Sequence, residues 1–167
     1  MVETSSSQLN QHSGAIKIAL IGATGAVGKD IVQLAKQNPL LKELVLITRR
    51  ALDEWVPEEF SCKLTIVIRD NFEGIVDDED LIEKVTGCNS FICTLGSRAK
   101  EGKQVFRQVD YEYPLLFAQL AKKLKIPEYA LLTSMGANSR SCFNYMRVKG
   151  DVERDVKALG LKHLTIF

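Results

Sequence analysis

The 167-residue sequence has no excess of either charge: 22 Lys and Arg stand against 21 Asp and Glu. A net charge of +1 provides no global basic field of the kind that draws a chain to nucleic acid or to an anionic membrane surface. Cysteine is sparse, and Cys62, Cys88, Cys93 and Cys142 show no CxxC spacing. His12 and His163 are the only histidines, too few beside those cysteines for a recognisable zinc site, so no metal is expected. No apolar run approaches the ~20 residues of a membrane span. The opening MVETSSSQLNQHSGA lacks the positive n-region and apolar h-region of a secretory signal. These absences predict a cytosolic or nuclear protein with reduced thiols and a disordered polar tail over residues 1–14.

What is present is a rhythm. Short apolar runs, rich in β-branched residues and apolar on both faces, alternate with longer amphipathic segments. Strands are predicted at Ile16–Ile21, Glu43–Thr48, Leu64–Ile68, Ser90–Leu95, Tyr129–Ser134 and His163–Phe167. GKDIVQLAKQN, DEDLIEKVTG, VFRQVDYEYPLLFAQLAKKLK and Asn144–Leu159 read as helices. Pro114 inside the longest marks a kink or its true start, because proline cannot donate to the preceding turn. The pattern predicts one α/β domain over residues 15–167, a doubly wound parallel sheet of order 3-2-1-4-5-6.

Between the first strand and first helix stands GATGAVG, with Gly22, Gly25 and Gly28 at every third position. In such a sheet Gly22 serves a sharp turn, Gly25 lets backbone amides approach a pyrophosphate, and Gly28 lets helix and strand pack closely. A glycine-rich turn with no ligand is the alternative. The second strand ends in LITRR, where an acidic residue would accept from an adenosine 2′-hydroxyl. Arg49 and Arg50 instead suit a 2′-phosphate, so NADPH is expected rather than NADH, unless both are simply solvated. Asp70, after the third strand, falls near the expected adenine edge and reads equally well as a turn aspartate.

The second half carries LLTSMGANSRSCFNYMRVK. Tyr145 and Lys149 are four apart on a predicted helix and share one face. Ser134 ends the fifth predicted strand, at the sheet edge where open α/β folds bind ligands. A phenol beside an ammonium and an oxidised nicotinamide can exchange a proton with a substrate oxygen that a serine hydroxyl holds in place. Ser134, Tyr145 and Lys149 are therefore the candidate catalytic residues. Arg98, Lys100, Lys103 and Arg107 are interrupted by Glu101 and lack an aromatic ladder, which disfavours direct nucleic-acid binding. Cys88 and Cys93 read as small hydrophobes. The last glycine is not followed by a lysine-and-hydroxyl pair, which excludes a GxxxxGK[ST] phosphate loop.

Together GATGAVG, TRR, TLG at Thr94–Gly96, Ser134 and YMRVK resemble the short-chain dehydrogenase/reductase superfamily. Within it LITRR, FICTLGSRAKEGKQVFRQVDYEYPLLFAQLAK, LLTSMGANSRSCFNYMRVKGDVE and LTIF are similar to the Tat-interacting protein 2 oxidoreductase-like family, across Ala15–Phe167. The resemblance implies NADPH binding at Gly22, Thr24, Gly25, Val27, Gly28 and Arg49, with Leu95 and Gly96 on the nicotinamide side and Tyr145 and Lys149 also touching the cofactor. It implies oxidoreduction of an unidentified carbonyl or alcohol. Alternatively it implies a non-catalytic NADPH-binding regulator of apoptosis, nuclear import or transcription, with importins or transcription regulators as partners. Many superfamily members carry an asparagine on the fourth helix, where this sequence places Asp110. Family members continue beyond the sixth strand, so a chain stopping at Phe167 is expected to lack part of the substrate wall.

Overall fold

The computed structural model describes residues 16–98 and 102–167. The expected polar tail lies outside the described residues, as do Lys100 and Glu101. Six strands, β1 (Ile16–Ile21), β2 (Leu41–Thr48), β3 (Lys63–Ile68), β4 (Ser90–Cys93), β5 (Glu128–Leu131) and β6 (His163–Ile166), form one sheet. Every pairing is parallel and the order is β3-β2-β1-β4-β5-β6, as the alternation of apolar and amphipathic segments predicts. The strand order reverses between β1 and β4, which splits the carboxyl edge of the sheet there.

Successive side chains of a strand point to opposite faces, and the two faces are covered unequally. Ala19, Ile21, Val45 and Ile47 face a core shared with Phe117 and Ala118 of α4 (Tyr113–Lys123), Leu81 of α2 (Glu79–Val85) and Val152 of α5 (Asn144–Ala158). Phe91 of β4 stacks on Phe117 with ring centroids 4.5 Å apart. Leu20, Leu44 and Leu46 face the other way, towards Val32 and Ala35 of α1 (Ala26–Lys36) and towards Trp55 and Phe60. No α-helix joins β2 to β3: a short 3₁₀ turn at Pro57–Glu59 takes that place, and Trp55 and Phe60 supply its apolar cover. No described helix is long and apolar enough to cross a membrane.

The long helix predicted around Pro114 runs through the proline, but not as a regular α-helix. α3 (Lys103–Arg107) passes into a π turn at Gln108–Glu112 and then into α4. The cause is local. Pro114 has no N–H to give the carbonyl four residues earlier and its ring crowds that carbonyl. The helix widens just upstream, where Tyr113 donates its N–H to the Gln108 carbonyl five residues back. Tyr129 of β5 anchors the far side, donating its hydroxyl to the Pro114 carbonyl at 2.8 Å.

Strand β5 ends at Leu131, three residues short of Ser134. Ladder-like bonds persist a little further, from the Leu132 N–H to Cys93 and from the Thr133 N–H to Phe167, both at 2.9 Å. Ser134 thus begins a loop rather than ending a strand. Cys88 and Cys93 are buried, and burial pushes their thiols up to about 12 and about 11, which makes them packing residues and poor nucleophiles.

Candidate functional site

A cleft of about 490 Å³ opens at the carboxyl ends of β1, β2 and β4, at the point where the strand order reverses. Gly22, Thr24, Gly25, Arg49, Arg50, Leu95 and Gly96 all line it, together with Thr94 and Phe72. Three separate stretches of sequence thus converge on one cleft.

The floor is set by glycine. Gly22 has φ of +93°, and a Cβ there would lie 2.6–2.7 Å from the backbone of Thr94 and Leu95. Only glycine fits, both for the dihedral and for the space. Gly28 is buried against the turn, where a Cβ would run into the Gly22 carbonyl and stand 2.8 Å from the Ala23 Cα. It serves helix packing and does not line the cleft, and Val27 beside it is 43% exposed on α1. Gly25 is exposed and is the N-cap of α1, with no side-chain cap. The first amides of that helix therefore look for acceptors at the cleft end. A backbone bared at Gly22 and Gly25 and ending in an uncapped helix N-terminus has the shape and polarity for a pyrophosphate.

At the end of β2, the Thr48 hydroxyl donates to the Arg50 carbonyl at 2.7 Å and accepts from the Arg50 N–H at 3.3 Å, which fixes the turn carrying both arginines. Arg49 and Arg50 are exposed, and neither forms an ion pair among the described residues. Burial raises the Tyr113 phenol above its ordinary value, while the Phe72 backbone and the Arg49 charge act against that rise. Tyr113 meets Phe72 edge-on at 5.2 Å, so an aromatic wall stands beside the arginines. Asp70 is exposed and outside the cleft lining; Phe72, two residues on, takes the lining position.

Tyr145 and Lys149 lie on α5 and Ser134 on the loop that follows β5; all three are outside the cleft lining, and no hydrogen bond joins them among the described residues. The Ser134 Oγ is buried without a hydrogen-bond partner among the described residues. Tyr145, in the first turn of α5, is 37% exposed and stacks over Phe106 of α3 with centroids 5.4 Å apart. Lys149 is buried, and its Nζ lies 2.7 Å from the Asp110 Oδ1. The cleft meets this group at Gly96, where a Cβ would sit 3.7 Å from that carboxylate oxygen and 3.9 Å from the Lys149 Nζ.

Sequence reasoning missed Gly150. It lies inside α5, and a Cβ there would occupy the backbone of Asn138 and Ser139. The loop that carries Ser134 is thereby seated directly on the helix that carries Tyr145 and Lys149. A glycine in a helix interior costs about 1 kcal/mol relative to alanine, and that cost was the available signal that another backbone must approach.

No family model matches the chain. Among curated proteins it is 33% identical over 154 residues to the protein HTATIP2 of Rattus norvegicus, covering 90% of this chain and 60% of that protein. It is 30% identical over 150 residues to the mitochondrial protein FMP52 of Candida albicans, covering 89% of this chain and 63% of that protein. Among solved structures, MoeE5 in complex with UDP-glucuronic acid and NAD superposes with a TM-score of 0.70 at 12% identity, over 90% of this chain and 52% of that one. The chain thus shares the doubly wound parallel fold of that NAD-complexed protein. Its homologues include HTATIP2 and FMP52, and it spans about three fifths of the length of these two relatives. The cytosolic or nuclear location expected from the sequence is corrected by these relationships. FMP52 proteins from several fungi are named mitochondrial, and a balanced charge with reduced thiols does not distinguish the compartments.

The seating of the loop at Gly150 gives a prediction whose sign is decisive. Gly150→Ala in an unobstructed helix would stabilise the fold by about 1 kcal/mol. Against the Asn138–Ser139 backbone it is expected to destabilise by about 1–3 kcal/mol. A urea midpoint that rises in the variant would show that the loop does not rest there.

Proposed function

We propose that this chain binds NADPH in the cleft and serves an oxidoreductase acting on a small-molecule carbonyl or alcohol. The observation that carries the proposal is the bared Gly22–Gly25 turn at the strand-order reversal, with two arginines at the neighbouring strand end that form no ion pair among the described residues. The amides at the start of α1, with Thr24 and Gly25, hold the pyrophosphate, while Gly28 and Val27 set the helix that presents them. Arg49 and Arg50 would hold the 2′-phosphate through charge-assisted bonds, Phe72 rather than Asp70 would border the adenine, and Leu95 and Gly96 would border the nicotinamide. Bound there, the cofactor supplies or accepts hydride. The Tyr145 hydroxyl moves a proton to or from the substrate oxygen, and the Ser134 Oγ, buried and lacking a partner among the described residues, donates to that oxygen. Lys149, buried beside Gly96, offers its ammonium to the cofactor ribose. The names of the FMP52 relatives support a mitochondrial place of action, which fractionation of cells expressing the tagged chain would test: recovery in the cytosol alone would refute it.

Calorimetric titration should give tighter binding of NADPH than of NADH. Arg49→Glu and Arg50→Glu should each weaken NADPH roughly tenfold or more and leave NADH little changed, because a charge-assisted bond to phosphate contributes about 1.5–3 kcal/mol. Equal affinity of the wild-type chain for the two nucleotides would remove the role given to the arginines. With a carbonyl panel, NADPH oxidation followed by absorbance should fall by at least a hundredfold in Tyr145→Phe while the nucleotide still binds. Turnover that survives this change would place proton transfer elsewhere.

A further inference from the structure

Asp110 is 1% exposed and sits in the middle of the π turn, a place where helical geometry departs from the α form. A carboxylate this deeply buried carries a large desolvation cost unless it is paired and hydrogen-bonded. Its two oxygens are held differently. Oδ2 accepts from the Ser97 N–H at 2.9 Å and from the Ser97 hydroxyl at 2.6 Å. Oδ1 receives no well-directed hydrogen bond among the described residues and faces the Lys149 ammonium at 2.7 Å as an ionic contact. Ser97 follows Gly96, a residue of the cleft lining, so the carboxylate is tied on one side to the cleft wall and on the other to the lysine.

We infer that Asp110 is the positioning residue for Lys149, clamped by Ser97 and the π turn so that the ammonium is held beside Gly96 at the edge of the cleft. This inference rests on the dinucleotide reading above, since it is the cofactor that the lysine is positioned to meet. Three features carry it. The Lys149 side chain is 6% exposed, so it cannot be one of the mobile surface lysines whose ion pairs contribute little. A Cβ at Gly96 would stand within 4 Å of both charged groups, which puts the pair against the cleft wall. The second Ser97 bond leaves the carboxylate little freedom to rotate away. An asparagine at 110 keeps the shape but cannot both accept at Oδ2 and present a negative charge to the ammonium.

The test is a double-mutant cycle on NADPH affinity, run alongside thermal denaturation of the same proteins. Asp110→Asn should weaken NADPH binding about tenfold or more, the scale of one charge-assisted hydrogen bond. In a Lys149→Met background the same change should have no further effect on affinity, because Asp110 acts through the lysine. If Asp110→Asn lowers the melting temperature but binds NADPH as the wild type does, the pair is structural only and the inference fails while the dinucleotide reading stands. If the wild-type chain binds neither NADPH nor NADH, the dinucleotide reading fails and the positioning role falls with it. Should Asp110→Asn not fold, Ser97→Ala removes one of the two donors on Oδ2 without disturbing either charge. It should weaken NADPH binding by a few-fold with Lys149 present and not at all with Lys149→Met; equal weakening in both backgrounds would overturn the inference.

Discussion

The close approach of β1 and β4 at their carboxyl ends is the constraint on which the rest of the molecule depends. The Thr94 N–H donates to the Ile21 carbonyl at 2.9 Å, and directly beyond that bond the Gly22 backbone lies against Thr94 and Leu95 with no room for a side chain. A chain forced to turn there in a positive-φ conformation leaves the sheet sharply and starts α1 over the sheet rather than beyond it. Gly28 then brings α1 down onto the same turn. The cleft is the space that this turn leaves between the diverging strand ends, and apart from Val109 of the π turn each of the residues lining it is placed by the carboxyl end of a strand or by the loop that follows one.

The two halves of the site are built by different means. The glycine turn and the arginines are placed by backbone geometry and short-range hydrogen bonds, such as those through which Thr48 fixes the Arg50 backbone. The α5 side is placed by tertiary contact. Gly150 seats the Ser134 loop, Phe106 carries Tyr145, and Asp110 holds Lys149. Gly96 and Ser97, adjacent in sequence, join the halves: one lines the cleft and the other grips the carboxylate that pairs with the lysine.

This division explains what could be read from the sequence. Strand identity and order follow from runs that are apolar on both faces, which a parallel sheet covered by helices requires. Those residues of the first half that line the cleft could be named because they are fixed by position relative to strand ends, whereas Val27, Gly28 and Asp70 fall outside the lining. The second half was legible only as residue types. That Ser134 lies three residues beyond its strand, that Tyr145 rests on an aromatic ring from α3, and that Lys149 turns to a carboxylate are outcomes of packing between segments far apart in the chain. The π turn was hidden for a related reason. Pro114 announced an irregularity, but whether a helix breaks, bends or widens depends on what its two ends must contact, and here α3 meets Tyr145 while α4 fills the core against Phe91.

That widened turn sets the phase between those two contacts. An α-helix advances by about 100° per residue, so a π turn that accommodates one extra residue rotates everything before it relative to everything after it by that angle. Phe106 faces α5 while Phe117 faces the sheet, although both lie on one continuous helical rod. The length of this segment is therefore as tightly specified as its composition. Losing one residue between Arg107 and Tyr113 would leave the core half of the rod in register and turn the Phe106 half away from its partner, uncoupling the fold from the site without altering a single side chain in either.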